Sequence, residues 1–118
     1  MALTGTTSPP SDPTGNGKFD VSEEDLDIAS RGLKAMGHPL RLKILCILAE
    51  AEEISVQDLV AQVGTSQSNI SQHLSILRDK RILASRKDAN KVYYRIGDPK
   101  ILQLMGIMRD AFCTVPSF

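Results

Sequence analysis

The sequence predicts a mainly α-helical domain that carries one β-hairpin. Five segments between Ser22 and Cys113 place apolar residues at helical spacing, and each begins at a capping residue or a proline. Two runs, ILASRKD and KVYYRI, alternate in the manner of strands and are separated by the turn formers Asp88, Ala89 and Asn90. With 118 residues, the chain fits one such domain.

Composition excludes several classes of protein. No run approaches the about 18 consecutive apolar residues that a membrane span needs, and the polar residues 1–17 do not resemble a secretory signal. The two cysteines, Cys46 and Cys113, are too few and too far apart for a disulfide framework or a CxxC loop. We therefore expect a cytoplasmic protein in a reducing compartment, without a membrane partner.

The amino-terminal segment differs from the rest of the chain. Residues 1–20 are rich in Thr, Ser, Pro and Gly and have too little apolar surface to offset the entropy lost on ordering. We predict a disordered arm over residues 1–20 and one folded domain over residues 21–115.

The first two helices are predicted from their caps and apolar faces. The first begins after Ser22, has acidic residues in its first turn and ends at Gly37. The second begins at Pro39, with Leu40, Ile44, Ile47 and Leu48 inward, Arg41 and Lys43 outward, and Cys46 within it.

The next two helices form a helix-turn-helix. Ser55 caps a short helix with Val56, Leu59, Val60 and Val63 at the buried spacing, and Gly64 supplies the turn. A helix capped by Ser66 follows, with Ile70, Leu74 and Leu77 as its core stripe. The hairpin comes next as a wing, and a last helix begins at Asp98-Pro99.

Charge is distributed unevenly, although 14 basic and 14 acidic residues give a net charge of zero. Residues 1–64 have a balance of −5 and residues 65–97 a balance of +5. A polyanion would meet the basic segment, although an ordinary solvated surface remains an alternative.

The outer face of the fourth helix has the side chains expected of a DNA reader. An α-helix fits the major groove of B-DNA, where Gln pairs with adenine and Ser bonds several base edges, while basic residues of the wing bind phosphate. The predicted DNA-binding residues are Ser66, Gln67, Ser68, Ser71, Gln72, Arg78, Arg86, Lys87 and Lys91.

These segments resemble a known family. GHPLRLKIL, SQSNISQHLSILR and the KVYYRI strand are together similar to the winged helix-turn-helix repressors of the ArsR/SmtB family, over roughly residues 24–113. The resemblance implies a homodimer that binds an inverted repeat of double-stranded operator DNA, and an inducer that weakens this binding.

The residues themselves also favour dimerisation. The last helix is apolar nearly all round, and one small domain cannot cover both of its faces. We expect the first and last helices to form the dimer contact through Leu26, Leu33, Ile101, Leu104, Met105, Met108 and Phe112.

The metal ligands that the family commonly uses are missing. Ser55 and Gln57 stand in the helix where a pair of thiolates would be needed, and no histidine follows His73. His38 and His73 are interpreted as structural residues. We therefore predict no metal site and no cofactor.

The cysteine pair is the remaining candidate for a sensor. A lone apolar-flanked cysteine is usually inert, but the positions of Cys46 and Cys113 are similar to those of the dithiol subgroup of the family, which senses persulfides, polysulfides or oxidants. The resemblance implies a redox-sensing pair and a small sulfur-donor inducer. The attacking sulfur must be a thiolate, and Lys43 and Arg109 are candidate cationic neighbours.

Two other functions remain open. One is a repressor that captures As(III) or Cd(II) with the two thiols and a third ligand. The other is a constitutive DNA-binding regulator with inert cysteines. Enzymatic activity is the least favoured reading, because Ser71, His73 and Asp79 lie on one helix whose faces are already explained, so no catalytic residues are predicted.

Overall fold

The computed structural model describes residues 19–113 and places them in five helices and three short strands. The elements are α1 (Glu23–Met36), α2 (Pro39–Glu50), β1 (Ile54–Ser55), α3 (Val56–Val63), α4 (Gln67–Asp79), β2 (Leu83–Asp88), β3 (Lys91–Ile96) and α5 (Pro99–Phe112). This order confirms the predicted winged helix-turn-helix, in which α3 and α4 form the helix-turn-helix and β2 and β3 form the wing.

The chain divides into two units, Met1–Ser30 and Arg31–Phe118. The structure describes residues 19–30 of the first unit, and the core, the wing and both cysteines belong to the second. The predicted arm lies outside the described residues except for residues 19 and 20. No helix within residues 19–113 is both long and apolar enough to cross a bilayer.

The helix starts agree with the predicted caps. In each case a side-chain oxygen accepts a hydrogen bond from a backbone N–H of the first turn, which satisfies a donor that has no partner within the helix. The pairs are Ser22 with Asp25 at 3.1 Å, Ser55 with Asp58 at 3.2 Å, Ser66 with Asn69 at 3.1 Å and Asp98 with Lys100 at 2.9 Å. Helix α2 has a cap that was not predicted: the Nδ1 atom of His38 accepts from Leu40 N at 3.1 Å.

The turn between α3 and α4 depends on Gly64. Its backbone is left-handed, with φ 82° and ψ 32°, and its N–H donates to the carbonyl oxygen of Val60 at 2.9 Å. Glycine adopts this conformation without the steric penalty that a Cβ atom would impose.

The core of the second unit lies between α2, α3, α4 and the sheet. The largest side chains that are completely buried in it are Ile44, Leu45, Leu59, Ile70, Leu74 and Leu77. The predicted inward stripe of α4 is thereby confirmed. Leu45 was not predicted to be inward, and three of the predicted inward valines of α3, Val56, Val60 and Val63, are only partly buried.

The sheet has three antiparallel strands in the order β1-β3-β2. The wing closes through a two-residue loop, Ala89 and Asn90, with Ala89 in a left-handed conformation at φ 56°. Strand β1 was not predicted, because two residues are too short to show an alternating pattern. It pairs Ile54 with Tyr94 and Ser55 with Tyr93, which joins the wing to the start of α3.

Arg41 lies differently from the sequence prediction. It was expected to point outward, but it is partly buried, and its Nε atom donates to the carbonyl oxygen of Ala35. Its Nη1 atom lies 3.1 Å from Nδ1 of His73 on α4. A guanidinium has five donors, so one side chain can connect the end of α1 to α2 and α4.

Candidate DNA-binding surface and dithiol groove

The outer face of α4 is polar and exposed. Five of the predicted DNA-reading side chains are exposed on it: Gln67, Ser68, Ser71, Gln72 and Arg78. The opposite stripe is completely buried, so this face is fixed toward solvent and cannot rotate inward without exposing the core. The hydroxyl of Ser66 is also exposed, but it already accepts the capping hydrogen bond from Asn69.

A small cleft connects α4 to the wing. It has a volume of about 90 Å³ and lies where the starts of α3 and α4 meet the wing tip. Gln67 and Lys91, both predicted to contact DNA, line it together with Gln57 and Asn90. Gln57 and Asn90 were not among the predicted DNA-binding residues.

The wing presents its basic residues in two different ways. Lys87 and Lys91 are exposed near the tip. Arg86 instead forms a two-pronged ion pair with Glu53, with Nε to Oε2 at 2.8 Å and Nη2 to Oε1 at 2.7 Å. Its guanidinium also lies 4.7 Å from the centre of the Tyr93 ring. The hydrogen bond with Glu53 raises the pKa of Arg86 and lowers the pKa of Glu53.

His73 connects α4 to the start of α2. Its ring centre lies 4.7 Å from that of His38, and its Nδ1 atom faces the guanidinium of Arg41. Burial lowers the pKa of His73, and the charges of His38 and Arg41 lower this pKa further. The structure therefore favours the neutral imidazole, with Nδ1 accepting from Arg41.

The two cysteines, which are 67 positions apart in the sequence, belong to helices α2 and α5, and these helices contact one another. Both are free and exposed, with Cys46 on α2 and Cys113 as the residue that ends α5. Partial desolvation of its thiol raises the pKa of Cys46, the charge of Cys113 raises this pKa as well, and Arg109 lowers it. The effect of Cys113 requires the two sulfurs to lie within each other's electrostatic range.

A groove of about 430 Å³ surrounds the face of Cys46 between α2 and α5. Its charged side chains are Lys43, Glu50 and Arg109, and its apolar walls include Ile47, Leu102 and Met105. Arg109 was predicted as a candidate cationic neighbour of a thiolate, and in the structure its charge acts on Cys46.

The residues predicted for the dimer contact divide into two sets. Leu26, Leu33 and Phe112 are exposed, at 50%, 57% and 79%. Met105 is only 3% exposed and belongs to the chain's own core, with Ile101, Leu104 and Met108 packed partly against it. Met105 is therefore not available to a partner. Two further apolar side chains of α5, Leu102 and Ile107, are exposed and were not assigned to the contact.

Within residues 19–113, no group of three or more His, Cys, Asp or Glu side chains is placed to hold a metal ion. Ser55, which stands where the family commonly has a thiolate, is buried and caps α3. Gln57, at the other such position, is exposed at the small cleft.

A buried helix-turn-helix core, a polar reading face and an adjoining basic wing define a DNA-binding protein of the winged helix-turn-helix class. Comparison with known proteins supports this class. Residues 38–85 match the model of the bacterial regulatory protein, arsR family. The nodulation protein NolR of Rhizobium meliloti is 42% identical over 75% of this chain and 72% of its own length.

Two further relatives extend the comparison. The biofilm growth-associated repressor of Xylella fastidiosa is 38% identical over 70% of this chain and 71% of its own. The solved structure of HlyU from Vibrio cholerae superimposes with a TM-score of 0.74 at 33% identity, covering 79% of this chain and all of that one. The chain belongs to the ArsR family of bacterial regulatory proteins. It is a transcriptional regulator, and its relatives are regulators, not enzymes.

Proposed function

We propose that this regulator is a repressor that releases its operator when Cys46 and Cys113 are linked by a persulfide, a polysulfide or an oxidant. The observation that carries the proposal is that Cys46 lines the groove between α2 and α5 while Cys113 ends α5, and the charge of Cys113 raises the pKa of Cys46. Both cysteines are exposed residues, which favours access by a small reagent.

The operator contact rests on two surfaces. The exposed residues Gln67, Ser68, Ser71 and Gln72 of α4 read base edges in the major groove, since they are hydrogen-bonding types on a helix whose other face is buried. Lys87 and Lys91 of the wing bind phosphate and position the domain without specifying sequence.

The regulator acts as a homodimer on an inverted repeat. Exposed apolar side chains on α1 and α5 provide surface that a two-fold partner would cover: Leu26, Leu33, Leu102, Ile107 and Phe112. Two reading helices related by a two-fold axis then meet half-sites about 34 Å apart, which is one turn of DNA.

The bridging chemistry balances without a further oxidant when the inducer is a persulfide, RS–SH. Each cysteine thiolate attacks the outer sulfur of one donor, forms Cys–S–SH and releases RS⁻. The deprotonated persulfide of one cysteine then attacks the inner sulfur of the other, expels HS⁻ and leaves a three-sulfur bridge. With a disulfide RS–SR as oxidant, one thiolate forms Cys–S–SR and the other displaces the second RS⁻, which leaves a direct disulfide.

The bridge would act on DNA through α2. Cys46 is next to Ile44 and Leu45, which are completely buried in the core that also holds α4, whereas Cys113 ends the helix that carries the proposed dimer surface. Linking the two sulfurs ties the reading unit to the dimer surface and changes the spacing of the two reading helices. A coupling free energy of about 1–3 kcal/mol corresponds to about a 5- to 150-fold loss of operator affinity.

The test uses reduced full-length protein and an operator fragment selected from random DNA by that protein. Fluorescence anisotropy follows release of the fragment on titration with glutathione persulfide, glutathione disulfide or arsenite, and mass spectrometry identifies the thiol products. We expect release by the two sulfur reagents together with a Cys46–Cys113 link. Cys46→Ser and Cys113→Ser should both bind the fragment and fail to release it.

Two outcomes would replace the proposal. Release by arsenite with no added sulfur and no Cys46–Cys113 link would indicate a soft-metal sensor that completes its ligand set with a group outside the two thiols. Binding that is indifferent to all three reagents would indicate a constitutive regulator whose cysteines are inert.

A further inference from the structure

We infer that the contact between Arg41 and His73 positions the reading helix α4 for operator binding, and that protonation of His73 breaks this contact and lowers operator affinity in mild acid. The inference rests on operator binding through α4 and does not depend on the proposed cysteine switch. It is supported by the geometry of the contact, by the charges that surround it and by the histidine content of the chain.

One arginine side chain connects three parts of the fold. The Nε atom of Arg41 on α2 donates to the carbonyl oxygen of Ala35 at the end of α1, and its Nη1 atom lies 3.1 Å from Nδ1 of His73 on α4. A guanidinium has donors only, so this hydrogen bond requires an unprotonated Nδ1 atom on His73. At this point the neutral imidazole therefore holds α4 against α2.

A proton on His73 would reverse the character of the contact. An imidazolium has two donors and no acceptor, so the hydrogen bond from Arg41 is lost and two cations face each other. The ring centre of His38 lies 4.7 Å from that of His73, and its Nδ1 atom accepts the hydrogen bond from Leu40 N that caps α2. Acid therefore places charges of one sign where the start of α2 meets α4.

The charges around His73 do not stabilise its cation. Burial lowers the pKa of His73, and the charges of His38 and Arg41 lower it further. Helices α2 and α3 and strand β2 pack against α4. The carboxylates of these four elements are Glu50, Asp58, Asp79 and Asp88, and their other cations are Lys43, Arg78, Arg86 and Lys87. Within residues 19–113, none of these charges is among those that shift the pKa of His73.

The direction of the effect follows from these contacts. While α4 keeps the contact with Arg41, the pKa of His73 lies below its ordinary value of 6.5; once the contact is broken, His73 takes up a proton more readily. Acid thus favours the broken arrangement, and operator affinity should fall as the pH drops below about 6.5. This is opposite to the general effect of added positive charge, which strengthens binding to DNA phosphate.

The composition of the chain allows the effect to be assigned. His38 and His73 are its two histidines, and histidine is the side chain whose ordinary pKa lies in the range of about 5 to 8. The thiol of Cys46 does not titrate in this range, because partial desolvation and the charge of Cys113 raise its pKa from an ordinary value of 9.0.

The experiment measures DNA affinity of the reduced full-length protein by fluorescence anisotropy between about pH 7.5 and pH 5.5. The two probes are the operator fragment that the protein selects and a fragment of random sequence, and far-UV circular dichroism at each pH follows the fold. We expect operator affinity to fall about tenfold or more, which corresponds to a pKa of His73 that differs by about one between the two arrangements. Affinity for the random fragment should not fall, and the circular dichroism should stay constant.

Two matched variants separate the histidines. In His73→Asn the Oδ1 atom replaces Nδ1 as the acceptor but cannot titrate, so operator affinity should be kept at pH 7.5 and should no longer fall in acid. His38→Asn keeps a capping acceptor at the start of α2 and should retain most of the fall. His73→Lys carries a permanent charge at the contact and should bind the operator weakly at both ends of the pH range.

Several results would overturn the inference. These are an affinity that does not change with pH, a fall of equal size in His73→Asn, a fall that disappears in His38→Asn alone, and a fall accompanied by loss of the circular dichroism signal. A fall that requires Cys46, tested in Cys46→Ser, would overturn it as well. Operator binding that responds to persulfide but not to pH leaves the proposed function standing, whereas binding that responds to pH but not to persulfide supports the inference and removes the proposed switch.

Discussion

Arg86 and Glu53 are joined by two short hydrogen bonds, 2.8 and 2.7 Å, although 33 positions separate them in the sequence. Glu53 lies directly before β1, and Arg86 lies on the wing strand β2. Because the pairing uses Nε and Nη2 of the guanidinium, two donors that could face a phosphate are already occupied. The pair ties the wing to the segment before the helix-turn-helix, and this gives Arg86 a different role from its neighbour Lys87.

The first prediction separates these roles by salt dependence. Each phosphate contact contributes a slope of about −0.9 to the logarithm of DNA affinity against the logarithm of salt. Because the proposed dimer carries each residue twice, Lys87→Gln and Lys91→Gln should each make the slope shallower by about 1.8, whereas Arg86→Gln should change it by less than half as much. Anisotropy titrations over a series of salt concentrations measure the slopes.

A matched variant sharpens this comparison. Glu53→Gln removes the closer of the two acidic partners of Arg86, the other being Asp88 at 3.7 Å, so the guanidinium should become more available to phosphate and the slope should steepen by less than one full contact per subunit. If Arg86→Gln flattens the slope as much as Lys87→Gln does, Arg86 contacts phosphate despite its ion pair.

The second prediction concerns pH. The pKa of His73 lies below its ordinary value of 6.5, because burial and the charges of His38 and Arg41 disfavour its cation. The unfolded chain therefore takes up this proton first, and the free energy of unfolding should decrease as pH falls through the range below about 6.5. His73→Gln should show a shallower decrease between about pH 7 and pH 5 in urea unfolding. If the free energy of unfolding depends on pH equally steeply in His73→Gln and in the unmodified protein, His73 is not the group that causes the decrease.

The third prediction tests the turn of the helix-turn-helix. Gly64 has φ 82°, so Gly64→Ala should lower the free energy of unfolding by about 1–2 kcal/mol. Gly64→Asn should cost less, since asparagine enters the left-handed region more readily than alanine. Both variants are compared by urea unfolding at one protein concentration. An asparagine variant less stable than the alanine variant would contradict the left-handed conformation as the cause of the loss.

The fourth prediction tests the core beneath the reading helix. Leu74 is fully buried, so Leu74→Ala should lower the free energy of unfolding by about 2–5 kcal/mol. Ile76, on the same helix, is 38% exposed, and Ile76→Ala should cost clearly less. A similar loss in both variants, measured by urea unfolding at matched concentration, would contradict the burial described for α4.

The helices and the wing could be predicted because their signals are local. A capping serine, a proline at a first helical position and apolar residues at a fixed spacing are properties of neighbouring residues, and α4 follows them with Ser66, Ile70 and Leu74. The left-handed turn at Gly64 is equally local.

Contacts between distant segments could not be predicted. Arg41 points inward because it contacts Ala35 and His73, and Arg86 is held by its ion pair with Glu53. No periodic pattern in the sequence connects either arginine with its partners. Similarly, the apolar residues of α5 predicted that part of this helix would be buried by another surface. Only the structure shows which residues the chain buries itself, such as Met105, and which it leaves exposed, such as Ile107.

Ser55 makes two contacts at once, and this has a consequence for how the regulator would leave DNA. Ser55 pairs with Tyr93 of the wing strand and, in the same backbone turn, caps the first helix of the helix-turn-helix. Because one residue makes both contacts, we expect the hairpin and the helix-turn-helix to move together. If the regulator leaves operator DNA as proposed, the footprints of the wing and of the reading helix should disappear together.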